Sequence, residues 1–127
     1  NKVLDYNFGI TSYTPPSTLY FALSTTSPDI SGSSFTEPSS GAYARIGLVN
    51  NKTNWSTASS GTLTNASAVT FAESTASWGT ILAVGMFDAL TSGNLLWYDV
   101  LSPSRVVASA TTVLFAIGSI TVQFNNS

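Results

Sequence analysis

The stretch ILAVGMFDALTSGNLLWYDVL, residues 81–101, decides the fold class of this chain. Residues 81–87 form an uninterrupted apolar run, which is typical of a central strand that is covered on both faces. The turn-forming residues Thr91-Ser-Gly-Asn94 follow, and then the largely apolar residues 95–101. Two apolar segments on either side of a short turn predict an antiparallel hairpin with strands at residues 81–88 and 95–101.

Apolar residues that alternate with polar ones extend the β pattern in both directions. Further strands are predicted at residues 18–23, 43–49, 62–65, 68–72, 105–108, 111–115 and 119–124, with Ser102-Pro-Ser104 as a break. The alternation predicts these core side chains: Leu19, Phe21, Leu23, Ile46, Leu48, Phe71, Val84, Leu95, Trp97, Phe115 and Val122. The sequence therefore predicts an all-β chain: a single jelly-roll-like β-sandwich of about eight to nine strands, spanning residues 18–127.

Residues 1–17 have a different character and predict an N-terminal arm. Val3, Leu4 and Phe8 fall near helical spacing over residues 1–9, and Gly9 supplies the left-handed residue after the last turn. Pro15-Pro16 makes the rest of the arm an extended linker. A second unusual segment, residues 24–42, has no periodicity and is longer than ordinary connections, which indicates a functional role or packing on a neighbour.

Composition excludes several classes of function. The 127 residues and 43% hydrophobic content fit one domain with one core. Four Lys and Arg residues against six Asp and Glu residues cannot form a basic surface for nucleic acid. The absence of His and Cys removes the thiol and imidazole nucleophile systems and the usual zinc ligands. The longest apolar run has seven residues, too few for a membrane-spanning helix, so we expect no membrane partner and no cofactor.

Carboxylates are the only acid–base groups left for catalysis. The six are Asp5, Asp29, Glu37, Glu73, Asp88 and Asp99. Asp88 and Asp99 flank the predicted hairpin and are the candidate pair for a glycosidase. For Asp88 the favoured interpretation is a turn former that accepts backbone N–H groups, and for Asp99 a cross-strand hydrogen bond is an equal alternative. We therefore expect no enzymatic activity and no metal site.

Two tryptophans in predicted loops raise the alternative of a glycan-binding module. Trp55 and Trp78 are of the residue type that stacks on sugar rings, and Asp88 is the accompanying polar group. The opposing interpretation is that each Trp closes one end of the sandwich. It is favoured for Trp78, beside Gly79, and is evenly balanced for Trp55.

Several segments, in this order and spacing, resemble a family of small virion proteins of tailed bacteriophages, often labelled tail fibre proteins. They are Asn1-Lys-Val-Leu-Asp5, Thr14-Pro-Pro-Ser-Thr-Leu-Tyr20, Gly41-Ala-Tyr-Ala-Arg45, Asn54-Trp55, Val69-Thr-Phe71, Trp78-Gly-Thr80 and Met86-Phe-Asp-Ala-Leu-Thr-Ser-Gly-Asn-Leu-Leu-Trp97. The sequence departs from the family at Ser109-Ala110, where a Gly-containing turn is usual.

The resemblance implies a virion component that is assembled in the cytoplasm of the bacterial host. Because a fibre needs an anchor, a shaft and a tip, we expect a capsid decoration or cement subunit, bound to the major capsid protein or other virion proteins and to copies of itself. The alternative is a tail-associated fibre module that recognises host surface glycans. The residues expected at subunit contacts are Val3, Leu4, Tyr6, Phe8, Tyr13 and Phe35.

Overall fold

The computed structural model describes residues 7–10 and 12–123, which form an antiparallel β structure. The strands are β1 (Thr18–Ser24), β2 (Ile46–Val49), β3 (Thr62–Thr64), β4 (Val69–Thr70), β5 (Gly79–Phe87), β6 (Leu95–Val107), β7 (Leu114–Phe115) and β8 (Thr121–Gln123). The predicted all-β class and strand number are confirmed. Most of the predicted N-terminal helix falls on residues 1–6, outside the described residues, but Gly9 has the expected left-handed conformation at φ 74°.

Four strands form the main sheet, in the order β2-β1-β5-β6, with every pair antiparallel. The predicted hairpin is its β5–β6 pair, in which Val84 lies opposite Asp99 and Met86 opposite Trp97. The hairpin turn is held by Asp88, whose carboxylate accepts the backbone N–H of Asn94 at 2.7 Å. The strongest local signal in the sequence was therefore sufficient to predict the centre of the fold.

A second layer consists of two short ladders, β3 with β8 and β4 with β7. The core lies between this layer and one face of the sheet. The sheet contributes Phe21 and Ile81 to it, and the second layer contributes Val69, with Phe115 packed against the cluster. The layers share a core as in a sandwich, whereas the jelly-roll connectivity stays a prediction.

Most of the predicted core side chains lie in or against this cluster. Four are buried: Phe21, Leu23, Phe71 and Val84. Six are half-buried and pack against the cluster: Leu19, Ile46, Leu48, Trp97, Phe115 and Val122. Leu95 differs, because its side chain approaches Gly32 and Gly85, away from the cluster.

The segment at residues 24–42 covers the second face of the sheet. Ala22 and Ser24, which alternate with the core-facing residues of β1, are fully buried beneath this layer. Ser24 Oγ accepts the N–H of Thr36 at 3.0 Å, and the ring of Phe35 lies against Gly85. A Cβ atom on Gly85 would stand 2.7 Å from that ring, which explains a glycine in the middle of a central strand.

The predicted strand break at Ser102-Pro-Ser104 is wrong. β6 continues to Val107, but its register shifts: Ala83 pairs with Val100 and Ile81 pairs with Arg105. Four residues of β6 therefore lie opposite one residue of β5. Since β6 is the outermost strand, Pro103 can occupy this irregular part without removing a ladder hydrogen bond.

Candidate interaction surface

The predicted contact residues of the arm divide into two groups. Three lie outside the described residues: Val3, Leu4 and Tyr6. Of the others, Phe8 is 78% exposed and Tyr13 is half-buried. Ile10, which sequence reasoning did not single out, is exposed as well. The described part of the arm thus presents apolar side chains that its own domain does not cover.

Phe35 belongs largely to its own domain. Its ring packs edge-on against the ring of Phe87, with 5.3 Å between the centroids. Thr25 N–H donates to the carbonyl of Thr36 at 2.8 Å, which closes the base of the long segment. Phe35 is therefore half-buried before any partner binds, and only its exposed edge remains for a contact with another subunit.

Ile30 at the tip of the same segment is fully exposed. The carboxylate of Asp29 accepts the N–H groups of Ser31 and Ser33, each at 3.0 Å, which fixes the turn. The hydroxyl of Ser31, which also donates to this carboxylate, lowers the pKa of Asp29. Tyr98 Oη donates to the carbonyl of Asp29 at 2.6 Å and anchors the tip to β6. The structure thus holds an aliphatic side chain in solvent on an ordered turn.

A buried polar cluster locks the long segment to the hairpin turn. Arg45 forms a bidentate ion pair with Glu37, with N–O distances of 2.7 and 3.0 Å. The same guanidinium donates to the carbonyls of Ala89 and Ser92 and lies 3.7 Å from the ring centroid of Phe87. One arginine therefore joins the long segment to the hairpin turn, which is more than forty residues away in the sequence.

Tyr43 extends this polar cluster into the core. Its hydroxyl donates to Glu37 at 2.8 Å and accepts the N–H of Leu23 at 2.9 Å. Burial is the main cause that raises the pKa of Tyr43 well above its usual value; the Leu23 N–H opposes the rise, and the carboxylate of Glu37 adds to it.

The stability of the protein is expected to fall by about 1 kcal/mol between pH 8 and pH 11 because of Tyr43. An unfolded tyrosine loses its proton near pH 10, whereas folded Tyr43 keeps it, so the unfolded state gains stability first as the pH rises. Guanidinium unfolding of wild type and Tyr43→Phe at both pH values measures the effect. The variant should lose less stability than wild type, and equal losses would contradict the assignment.

The two tryptophans of the glycan-binding alternative are buried and present no exposed ring face to a sugar. Trp55 is 8% exposed and stacks on Phe21 with 6.1 Å between the ring centroids. Trp78 is 4% exposed, and its indole N–H donates to the carbonyl of Gly41 at 2.8 Å. The alternative, a Trp that closes the core, holds for both residues.

Asp88 and Asp99 lie at different positions along the hairpin. Both oxygens of Asp88 accept hydrogen bonds from Asn94, as expected of a turn former. Asp99 pairs with Val84, four residues from Asp88 along β5, which separates the two Cα atoms by about 13 Å along the strand. Glycosidases need about 5 to 9.5 Å between the two carboxyl groups, which is shorter than the separation of these two Cα atoms.

An apolar cleft of about 370 Å³ lies between β6 and β7. Its apolar lining includes Leu101, Pro103 and Phe115, and Arg105 stands among them. One sequence signal points to this cleft, the proline in the middle of an apolar strand, although the same proline predicts a break in that strand. The walls come from residues far apart in sequence, so no local pattern marks them.

Large apolar side chains are exposed at several places on the surface. In the described ranges the exposed ones are Phe8, Ile10, Ile30, Val49, Leu90, Leu96, Val100, Val106, Leu114 and Ile117. No helix in those ranges is long and apolar enough to cross a membrane. Surfaces of this kind are typical of proteins that bind other proteins.

Comparison with family models gives one match, to podophage GP4 fiber I protein gp80, over residues 1–123. The chain belongs to this family. The match covers the arm and all eight strands, and it confirms the resemblance to phage fibre and virion proteins. The family makes the chain a structural component of a phage virion. A search of curated proteins found no match.

Proposed function

We propose that this member of the gp80 family is a non-enzymatic subunit of a podophage fibre that binds other virion proteins, and copies of itself, through apolar surface. The description of the family supports the fibre assignment. The main observation in favour of binding through apolar surface is the set of exposed apolar side chains, which includes Ile30 on its ordered turn. Charged residues are depleted in the centres of protein interfaces, and this chain has few of them.

The distribution of the charges supports the same proposal. Glu37 and Arg45 neutralise each other inside the domain. Asp29 and Asp88 are engaged in their own turns. Four of the ten charged residues therefore serve the domain's own structure, and the low charged fraction of 8% leaves uncharged areas for contact with other proteins.

Capsid decoration is the second candidate function. One small β domain with an uncharged, apolar surface also suits a cement subunit that binds the major capsid protein. Quantitative mass spectrometry of purified particles, with immunogold labelling, distinguishes the two functions. Label on the tail and at most a few dozen copies support the fibre subunit, whereas hundreds of copies on the capsid would replace it with the decoration subunit.

Deletion of residues 1–13 is expected to leave a folded domain that enters virions about tenfold less often, or not at all. The described contacts that fix the start of the sheet begin with Pro16 and Ser17, which bond to Asn50, so the deletion spares them. The apolar side chains of the arm are lost, and with them the area that would be buried on a neighbour. Occupancy in particles from complemented phage, with circular dichroism as the folding control, measures this. Full occupancy would show that the arm is not an attachment device.

Asp88→Asn and Asp99→Asn are expected to change no catalytic activity, because the proposal assigns none. Release of reducing sugar from host polysaccharide by purified protein is the measurement. Sugar release by wild type that either variant abolishes, with unchanged unfolding curves, would make the protein a glycosidase and contradict the proposal.

A further inference from the structure

The cleft between β6 and β7 has the properties of a binding site for an apolar chain segment. Leu23 and Ile81 form part of its wall and are themselves core residues, so the cleft reaches the hydrophobic interior. Its volume of about 370 Å³ equals that of roughly a dozen water molecules and lies in the range of known ligand sites. Leu114 on β7 lines the cleft and is exposed.

Arg105 gives the cleft a charge preference. It lines the apolar walls, is exposed, and forms no ion pair within the described residues. Ser102 and Ser119 add hydroxyl groups to the lining. A segment that fills this cleft should therefore have apolar side chains on either side of a carboxylate.

The N-terminal arm of the chain has this composition. Asp5 stands between Leu4 and Tyr6, and Val3 precedes Leu4. Phe8 continues the apolar character and is left uncovered by its own domain. We propose that the arm of one copy, around residues 3–8, binds in the cleft of a second copy, with Asp5 paired to Arg105. This inference rests on the proposed function and names the partner of the cleft.

The arm leaves the domain at one end of β1, whereas the cleft lies toward the other end. Asn50 bonds to the carbonyls of Pro16 and Ser17, which fixes the arm where it leaves the domain, before Thr18. Leu23 lines the cleft toward the other end of β1, about 17 Å from Thr18 along the strand. An arm at one end and a cleft toward the other give a head-to-tail contact, which repeats into a ring or a filament.

Engineered cysteines distinguish binding to a second copy from binding within one chain. The chain has no Cys, so a mixture of full-length Leu4→Cys and Leu114→Cys proteins can form a mixed disulfide only between copies. Leu4→Cys mixed with Leu90→Cys is the control, since Leu90 is similarly exposed but lies in the β5–β6 turn. After mild oxidation with diamide, we expect about tenfold or more mixed dimer over the control.

Charge reversal tests the proposed ion pair. Arg105→Glu and Asp5→Arg should each reduce the mixed dimer by about fivefold, and the two together should restore it. Lys52→Glu, which reverses an exposed charge away from the cleft, should have no effect. Sedimentation velocity of the charge variants without engineered cysteines compares the association between copies in the absence of a cross-link.

The outcomes separate this inference from the proposed function. A disulfide within the double variant Leu4→Cys/Leu114→Cys, with no mixed dimer between single variants, would overturn binding to a second copy. Equal dimer yields at residues 114 and 90, or no rescue by the double charge reversal, would overturn the cleft as the site. In both cases a fibre location and loss of occupancy on arm deletion would leave the proposed function standing, with another virion protein as the partner of the arm.

Discussion

Arg45→Met is expected to lower the free energy of unfolding by about 3–5 kcal/mol, because it removes one partner of a largely buried ion pair. The substitution keeps much of the side-chain volume and removes the guanidinium. The carboxylate of Glu37 then stays in a half-buried position without its partner, and the carbonyls of Ala89 and Ser92 lose their donor. The contact with the ring of Phe87 loses its charge as well.

Urea unfolding followed by tryptophan fluorescence measures this effect. Lys52→Met is the matched control, because it removes a positive charge from an exposed position and should change stability by no more than about 0.5 kcal/mol. In the double variant Arg45→Met/Glu37→Gln, the cost should be about 1–3 kcal/mol smaller than the sum of the single costs, since no buried carboxylate is left unpaired. An Arg45→Met protein as stable as the Lys52→Met control would show that the cluster is dispensable.

The hairpin could be predicted from sequence because its information is local. The apolar run of β5, the turn residues and the returning strand stand next to one another in the chain. Gly93 at φ 74° and the carboxylate of Asp88 both serve the turn that their residue types indicate. A pattern whose parts lie within about twenty residues of one another needs no knowledge of the rest of the fold.

Residues whose roles depend on distant partners could not be assigned in the same way. The indole of Trp78 bonds to Gly41, which lies far from it in the sequence, so its neighbours in the chain do not reveal that it is buried. Arg45 lies in the strand predicted at residues 43–49, and nothing in that local pattern shows that Glu37 and the hairpin turn bury it. Only the tertiary fold brings these groups together.

The cleft could not be predicted from the sequence, for the same reason. Its walls come from β5, the irregular part of β6, and the segment around β7. Pro103 was informative, but the sequence alone does not distinguish a strand that ends from an edge strand that bulges. The apolar arm, in contrast, was recognisable from composition, because it has apolar residues in a segment that precedes the first strand.

Asn65→Leu is expected to lower the free energy of unfolding by about 3–5 kcal/mol, through a different mechanism. Asn65 is 0% exposed, and its amide group donates to the carbonyls of Ser67 and Ala116, each at 2.9 Å. Its side-chain oxygen accepts the N–H of Ile120 at 2.9 Å. The leucine would fill a similar volume but take away the partners of the Ser67 carbonyl and of the buried Ile120 N–H. The Ala116 carbonyl would lose one donor and keep its bonds from Ser119.

A second variant at this position gives the prediction a pH signature. Asn65→Asp has the same shape, but an ionised carboxylate would face the two carbonyls that the amide group now serves. Burial beside them raises the pKa of the introduced carboxyl, so the variant should approach wild-type stability near pH 4 and lose it as the pH rises toward 7. Asn50→Asp, at an exposed asparagine that also donates to a carbonyl, should show a much smaller change over this range. Parallel stability curves for the two variants would mean that Asn65 is not held in the described bonds, because only a buried carboxylate without donors is destabilised by its own ionisation.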